Sequence, residues 1–513
     1  MYIRNEDTIC APATVPGTGA ISVIRVSGPD ALAIADKVVT CRKGTISEAP
    51  GYTLKFGIIY NNSNNCISSN YSTLSEVKDS TSNPDKNKSD KDIIDEVLVS
   101  VFRAPHSYTG ENSVEISCHA SSYIVSEIMS LLYSAGARAA EPGEFTQRAF
   151  LNGKMDLAQA EAVADVIASQ NAAAHRIAFK QMKGGFSSEL RDMRSELLEL
   201  VSLMELELDF SEEEVEFADR SRLNSLISEL IGHISSLIDS FKLGNAIKNG
   251  VPVAIAGATN TGKSTLLNAL LGEDRAIVSD VHGTTRDTIE ETLNIDGILF
   301  RFIDTAGLRE TSEFVEKIGI ERTFKKISEA TIVIGMIDLT RDLESTCETV
   351  REIIDKVDFK SQKLVILLNK TDISDVNKNV TITNYIVSLL NNEGITSNII
   401  NSSNSETVQA PIIAISAKTG DGITNLRTIL AESQRDLLSD SDTTLVTNQR
   451  HVQALSDART SLLRALEGLA DGTPTDLVSQ DIRECIYAIS SISEGISSQD
   501  VLINIFSRFC IGK

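Results

Sequence analysis

At 513 residues the chain is too long for one hydrophobic core, and its 42% hydrophobic content is ordinary for a soluble globular protein. A formal charge of −23 and a pI near 4.8 exclude a protein that coats nucleic acid over its whole surface; absent tryptophan and 5% aromatics exclude a base-stacking platform. Seven scattered cysteines without a CxxC pair speak against a disulfide framework or a zinc ribbon.

The chain opens Met1-Tyr2-Ile3-Arg4-Asn5-Glu6-Asp7, without a signal or transit pattern, and no apolar run approaches the roughly 20 residues of a membrane span. The expected location is the cytoplasm, with no membrane partner. Strands are predicted at Thr8 to Ala13, Ala20 to Val26, Thr53 to Tyr60, Glu96 to Phe102 and Ser113 to Ser117, with a helix from Asp30 to Val39. These define a small α+β domain over residues 1–118. Residues 61–92 are rich in Asn, Ser, Asp and Lys, lack apolar periodicity, and read as a partly disordered surface insertion.

A helical region follows over 119–249. Gln159 to Gln181 is Ala-rich, and Phe186 to Phe217 places Leu190, Met193, Leu197, Leu200, Val201 and Met204 on one helical face. Helical spacing returns in 434–513 at Val452, Leu455, Leu462, Leu463, Leu466 and Leu469. Neither flank is sufficient for a bundle alone, so the reading is one all-α domain split by an insertion at 250–433. Inside that insertion, apolar runs at Val251 to Ala256, Phe300 to Ile303, Thr331 to Ile337, Leu364 to Leu368 and Ile412 to Ile415 alternate with helical stretches, the first of them Ser264 to Leu271. That pattern predicts an α/β domain with a parallel sheet covered on both faces. Residues 374–409 are polar and read as a second surface insertion, with an apolar patch at Val387 to Leu390. The fold class is therefore multidomain α+β, combining an N-terminal α+β domain, an all-α domain and an inserted α/β P-loop domain.

Four ordered motifs name the inserted domain's ligand. Gly257-Ala258-Thr259-Asn260-Thr261-Gly262-Lys263-Ser264 has the form GxxxxGKS, whose backbone N–H groups and lysine cradle phosphates at a helix N-terminus. Asp304-Thr305-Ala306-Gly307, Asn369-Lys370-Thr371-Asp372 and Ser416-Ala417-Lys418 follow. The Asp372 carboxylate can accept from both the ring N–H and the exocyclic amine of guanine, a donor pair adenine lacks. This reads as a GTPase. Lys263 supplies charge to the β- and γ-phosphates and Ser264 a hydroxyl to Mg²⁺, with Thr265 beside them at the start of the helix; Thr285 is the candidate for the second Mg²⁺ hydroxyl. Leu308, after Gly307, cannot orient water as a glutamine there would; Glu310, Glu313 and Glu316 are candidates, and spacing does not choose among them. The Asn260 amide oxygen is a candidate ligand for a monovalent cation that would counter charge in the transition state.

The segments Gly283-Thr284-Thr285-Arg286-Asp287 and Asp304 to Glu316, with Phe509-Cys510-Ile511-Gly512-Lys513, resemble the MnmE (TrmE) family of tRNA-modifying GTPases. The N-terminal half agrees in Asp7-Thr8-Ile9, Gly17, Arg25-Val26-Ser27-Gly28, Ser107-Tyr108-Thr109-Gly110-Glu111 and the run from Pro142 to Lys154. The resemblance implies a folate-binding, dimerising N-terminal domain and a heterotetramer with an FAD-containing partner, MnmG. It implies modification of carbon 5 of the wobble uridine of certain tRNAs, of aminomethyl or carboxymethylaminomethyl type, using a tetrahydrofolate one-carbon unit, with FAD only on the partner.

Carried over, Asn260, Ser279, Val281 and Thr284 match a K⁺ site that activates hydrolysis, within a nucleotide-facing segment Ser279-Asp280-Val281-His282-Gly283. Ser264 and Thr285 match the Mg²⁺ ligands and Glu316 the residue that positions water. Arg25, Glu115, Lys154 and Lys513 match folate contacts, and Cys510 the terminal cysteine, a candidate nucleophile beside the folate carbon. Thr259 replaces a usual proline, Ser279 a usual threonine, and His282 a small or apolar residue. The rival reading is a switch or assembly GTPase acting on the ribosome or RNA without modification chemistry.

Overall fold

The computed structural model describes residues 7–61, 93–209, 220–272, 291–303, 327–392, 394–399, 410–435, 444–494, 499–507, 509 and 512. Contacts divide the chain into two units. One comprises Met1–Ala164, Gln181–Ser195 and Tyr487–Lys513, and the other Asp165–Lys180 and Glu196–Ile486.

The first unit runs β1 (Ile9–Pro12), β2 (Gly19–Ser27), α1 (Ala31–Val38), β3 (Val39–Cys41), β4 (Thr53–Tyr60), β5 (Ile93–Phe102), β6 (Ser113–Ala120), α2 (Ser122–Ala135), β7 (Arg138–Ala139) and α3 (Glu144–Leu151). Its strands form a sheet of order β3-β4-β5-β6-β2-β1-β7, antiparallel except for the β1–β7 pair. Alternation decides which side is buried. Ile24 and Val26 of β2, Val97, Val99 and Val101 of β5, and Val114 and Ile116 of β6 join a core with Ile34 and Ala35 of α1 and Ile128 and Leu132 of α2. The residues between them, Arg25 and Glu115, therefore stand on the opposite face, opposed in register. Helix α2 stops at Gly136, whose φ of 115° is the left-handed conformation of a helix C-terminus.

The chain continues through α4 (Leu157–Ala168), α5 (Ala172–Met182), α6 (Gly185–Asp209) and α7 (Arg220–Asn249), then β8 (Val251–Ala256) and α8 (Lys263–Gly272). Next come β9 (Glu291–Ile295), β10 (Ile298–Phe302), β11 (Ile332–Asp338), α9 (Leu343–Ile354), β12 (Lys363–Asn369) and α10 (Val376–Asn392). The chain closes with β13 (Ser397–Ile399), β14 (Ala410–Ala414), α11 (Ile423–Ser433), α12 (Gln449–Asp471), α13 (Thr475–Ser493) and α14 (Gln499–Phe506). The six predicted apolar positions of α6, Leu190 to Met204, are all buried.

In the second unit the sheet order is β13-β14-β12-β11-β8-β10-β9. Strand β11 is buried along its whole length because helices cover both faces, as parallel sheets require. One cover carries Leu266, Leu267 and Leu270 of α8 with Leu426 and Leu430 of α11; the other carries Val350 and Ile353 of α9. Helices on either side of the inserted sheet meet: α7 packs along α12, and a Cβ at Gly244 would lie 2.3 Å from the Val446 carbonyl.

Two details differ from the sequence reading. Strand β9 is antiparallel to β10, because Asp296 (φ 51°) and Gly297 (φ 85°) close a two-residue hairpin whose backbone needs positive φ at both positions. Residues 376–392, read as part of a polar surface insertion, are helix α10, and Ile382, Ile386 and Leu390 enter the core at four-residue spacing. The polar faces of that helix had hidden a narrow apolar stripe. The other insertion, 62–92, lies outside the described residues, as does 400–409.

Candidate functional site

Strand β8 delivers the chain to a loop in which two positions have no room for a side chain. Gly257 has φ 156°, and a Cβ there would lie 2.4 Å from the Met336 carbonyl of β11. Gly262 has φ 99°, and its Cβ would lie 2.5 Å from Asn369 Nδ2. Between them Asn260 is exposed and held at φ 62°, a left-handed conformation that asparagine tolerates better than most residues. Thr261 is 1% exposed and donates through Oγ1 to the Ala258 carbonyl at 2.9 Å. The Lys263 amine donates to the Gly257 and Ala258 carbonyls, both at 2.8 Å, which places the charge over the loop. Burial, and then the nearby Arg341 charge, lower its pKa from the ordinary lysine value. Ser264 and Thr265 open α8 behind it.

The base-reading loops converge on the same place. Asn369, at the end of β12, donates through Nδ2 to the Thr261 carbonyl at 2.7 Å and accepts at Oδ1 from the Ala417 N–H at 2.9 Å. One side chain thus ties the phosphate loop to the Ser416-Ala417-Lys418 loop. Ser416 Oγ donates to Asp372 Oδ1 at 2.9 Å and fixes the carboxylate that would read the base. Lys370, at φ 69°, forms a 2.7 Å ion pair with Asp338 Oδ2. Lys418 is exposed. The donor set fits a phosphate: two cradle glycines without room for a Cβ and an ammonium held against the loop carbonyls stand at the start of a ten-residue helix.

Sequence reasoning missed Asp338 and Arg341. Asp338 is 5% exposed, and its Oδ1 accepts from the N–H and hydroxyl of Thr340 at 2.9 and 2.6 Å. Burial would raise its pKa, but Lys370 and Thr340 outweigh that and hold it below the ordinary carboxylate value. Arg341 donates through Nη2 to the Thr259 carbonyl. The available signal was position: Asp338 ends a run of apolar strand residues and stands in register with Asn369. Ser279, Asp280, Val281, His282, Gly283, Thr284, Thr285, Asp304, Thr305, Ala306, Gly307 and Glu316 lie outside the described residues.

A second cluster occupies the first unit. Arg25 Nε donates to Glu115 Oε1 at 3.0 Å, and Nη1 to the Gly512 carbonyl at 3.3 Å, which brings the C-terminal segment onto the open sheet face. Gly512 has φ 96°, and a Cβ there would lie 2.2 Å from the Pro12 carbonyl. The Arg25 guanidinium stands over the rings of Tyr108 and Phe145, 5.2 and 5.6 Å from their centroids. The Lys154 amine donates to the Pro105 carbonyl at 3.0 Å, so it joins the loop that carries Tyr108 rather than the Arg25–Glu115 pair itself. Cys510 and Lys513 lie outside the described residues. Leu502, Phe506 and Phe509 pack with Leu157 and Ala160 and seat this tail.

Behind the cluster lies an ionic network that sequence did not reveal. Arg148 is 1% exposed and donates to Asp7 Oδ1 at 2.7 Å, Glu144 Oε1 at 3.0 Å and Glu111 Oε1 at 3.2 Å. Arg138 also donates to Glu144 and Asp7, at 2.7 and 2.8 Å. Burial would raise the Glu144 carboxyl, but Arg138, the Glu141 N–H and Arg148 hold it below its ordinary value.

Together, the phosphate loop, the guanine-reading loops and the covered parallel sheet make this chain a P-loop GTPase. The family profile described as "MnmE helical domain" matches residues 157–510, and that described as "GTP-binding protein TrmE N-terminus" matches 8–154. The chain belongs to the MnmE (TrmE) family.

A protein of Bacteroides thetaiotaomicron named tRNA modification GTPase MnmE is 49% identical over 511 residues, covering 99% of this chain and 100% of the relative. The protein of that name from Phocaeicola vulgatus is 47% identical over 522 residues, covering 100% of both chains. Among solved structures, Era of Aquifex aeolicus bound to GDP and AlF4⁻ overlaps 41% of this chain and 66% of its own, at 23% identity and a TM-score of 0.25. The assignment rests on the profiles and the full-length relatives. No helix among the described residues is long and apolar enough to cross a membrane.

Proposed function

We propose that this GTPase is one half of a cytoplasmic tRNA-modifying enzyme. Working as a homodimer with an FAD-containing MnmG-like partner, it installs an aminomethyl-type group at carbon 5 of the wobble uridine. The observation that carries the reading is end-to-end likeness, 49% identity over 99% of this chain, to a relative named for tRNA modification. The functional division is taken as residues 1–118 for folate and dimerisation, 250–433 for GTP, and 119–249 with 434–513 as the helical frame.

Within the GTPase domain, Lys263 and the loop N–H groups bind the β- and γ-phosphates, Asp372 and Asn369 select guanine, and Glu316 orients water. Ser264 and Thr285 would hold Mg²⁺; Asn260, Ser279, Val281 and Thr284 would hold K⁺. When bound, the two cations supply positive charge against the charge that develops on the transferred phosphoryl group. Of the proposed cation ligands only Asn260 and Ser264 are among the described residues, on the phosphate loop and the first turn of α8.

In the first unit, Arg25, Glu115, Lys154 and Lys513 would hold a tetrahydrofolate derivative, with Cys510 near its one-carbon unit. The Arg25–Glu115 pair supports this by offering both signs of charge beside two aromatic rings, which suits a pterin and an anionic tail.

The test is GTP turnover in matched KCl and NaCl for the wild type, Asn260→Ala and Glu316→Ala, together with folate binding by the purified chain. K⁺ stimulation lost in Asn260→Ala, catalysis lost in Glu316→Ala, and folate binding lost in Arg25→Ala are expected. Equal rates in both salts with no folate binding would return weight to a switch GTPase without modification chemistry.

A further inference from the structure

Two links connect the guanine-reading loop to the phosphate loop. The first runs through Asn369 to the Thr261 carbonyl and belongs to the base-reading motif itself. The second joins two motif residues through Asp338 and Arg341, which lie outside every motif. It starts at Lys370, passes through Asp338 Oδ2 at 2.7 Å, continues to Arg341 Nε at 4.0 Å from the same oxygen, and ends where Arg341 Nη2 donates to the Thr259 carbonyl.

Each component is held. Asp338 ends β11 in register with Asn369, the Leu339 N–H donates to the Asn369 carbonyl at 3.2 Å, and Thr340 fixes the other carboxylate oxygen. The Lys378 amine of α10 donates to the Arg341 carbonyl, which anchors the backbone beneath the guanidinium. The Thr259 carbonyl belongs to the peptide that precedes Asn260, and Asn260 has the left-handed backbone. A guanidinium suits this task because its planar fork can meet an acid and a carbonyl together, whereas an ammonium is a single point charge.

We propose that Asp338 and Arg341 are positioning residues that couple guanine recognition to the geometry of the phosphate loop at the Thr259–Asn260 peptide. The proposal rests on the GTPase chemistry of this site and is independent of the tRNA reading. Its consequence is that base identity affects the chemical step as well as binding. A base that engages the Asp372 and Lys370 loop less fully leaves the Asp338–Arg341 chain less firmly set, and the phosphate loop with it. Inosine nucleotides, which lack the exocyclic amine, provide that comparison.

The experiment measures mant-GDP affinity and the kcat and KM for GTP and ITP on the full chain, for the wild type, Arg341→Ala, Arg341→Lys, Lys370→Ala and Arg341→Ala/Lys370→Ala. Far-UV circular dichroism checks each fold. Each alanine variant is expected to weaken mant-GDP about tenfold, since each removes a hydrogen bond from a charged donor. The double variant is expected to lose well under the hundredfold of independent sites, because both residues act through Asp338.

The wild-type kcat for GTP is expected to exceed that for ITP, and this ratio should collapse toward one in Arg341→Ala while the KM preference, set by Asp372, persists. Arg341→Lys keeps the charge and is expected to bind mant-GDP nearly as the wild type does, yet to lose the kcat ratio. Additive losses in the double variant, a wild-type kcat ratio of one, or a ratio that neither Arg341 variant changes would overturn the proposal. Arg341→Lys preserves the test if the alanine variant does not fold.

Discussion

Replacing Arg148 by methionine removes a guanidinium that is 1% exposed and leaves Asp7, Glu111 and Glu144 to share what remains. Breaking a buried ion pair from one side costs about 3–5 kcal/mol, because the surviving charge stays desolvated without its partner. Asp7 and Glu144 keep Arg138, and Glu111 keeps the Ser27 hydroxyl at 2.8 Å, so the low end of that range, about 3 kcal/mol, is expected.

The loss should depend on pH in a definite sense. In the wild type Glu144 and Asp7 titrate below their ordinary values, so their stabilisation is present above the unfolded value and lost as pH falls through the folded one. Without Arg148, burial gains weight at Glu144, its pKa moves up, and protonation relieves the variant. The deficit should therefore hold near pH 7 and narrow as pH falls below about 4.5, through the lowered folded-state values.

Urea unfolding followed by tyrosine fluorescence is the assay. The chain has no tryptophan, and most of its nine tyrosines, Tyr52, Tyr60, Tyr108, Tyr123 and Tyr133 among them, belong to the first unit. A deficit below about 1 kcal/mol, or one that stays constant with pH, would refute the view that the network is a charge-compensated unit rather than a set of independent contacts.

Gly262→Ala should abolish tight GDP binding while the fold persists, because its Cβ meets Asn369 Nδ2 at 2.5 Å and φ is 99°; mant-GDP titration checks this. Gly512→Ala should dislodge the tail from Arg25, since a Cβ 2.2 Å from the Pro12 carbonyl has no room; faster proteolysis at the C-terminus and weaker folate binding are the expected readouts. Burial pushes the thiols of Cys10 and Cys485 up to about 12 and that of Cys118 to about 11, so little thiolate forms at pH 8. Iodoacetamide at that pH should leave all three unmodified in the native protein and alkylate them after denaturation, as peptide mass spectrometry would report.

What the sequence disclosed was mostly local. The phosphate loop, Asn369 to Asp372 and Ser416 to Lys418 are short runs whose residue types are dictated by the ligand, and the structure brings these runs together. The apolar spacing of α6 and the buried run of β11 were equally readable, because periodicity is set by an element's own environment. Pairings across long separations were not readable. Arg25 meets Glu115 across 90 positions and Gly512 across 487, and no property of either neighbourhood announces that.

Charged residues gave no sign of their partners. Arg148 in a helix of mixed polarity looks like a solvated side chain, and Arg341 after a strand looks like a loop cation, yet both are committed to specific partners. Helix α10 was hidden because one narrow stripe, Ile382, Ile386 and Leu390, carries its burial while the rest of the segment is polar. The hairpin of β9 and β10 depended on a single Asp-Gly pair inside a region otherwise read for its parallel alternation.

The close approach of Gly244 to Val446 has a topological consequence. The backbone that leaves α7 for β8 and the backbone that returns toward α12 pass within contact of each other, so the segment between them enters and leaves at one place. A segment whose two ends meet adds little loop-closure cost to the framework that carries it, however long it is, because that cost grows only logarithmically with length. Excision of the nucleotide-binding segment and bridging by a few glycines would ask the helical pair to span almost no distance.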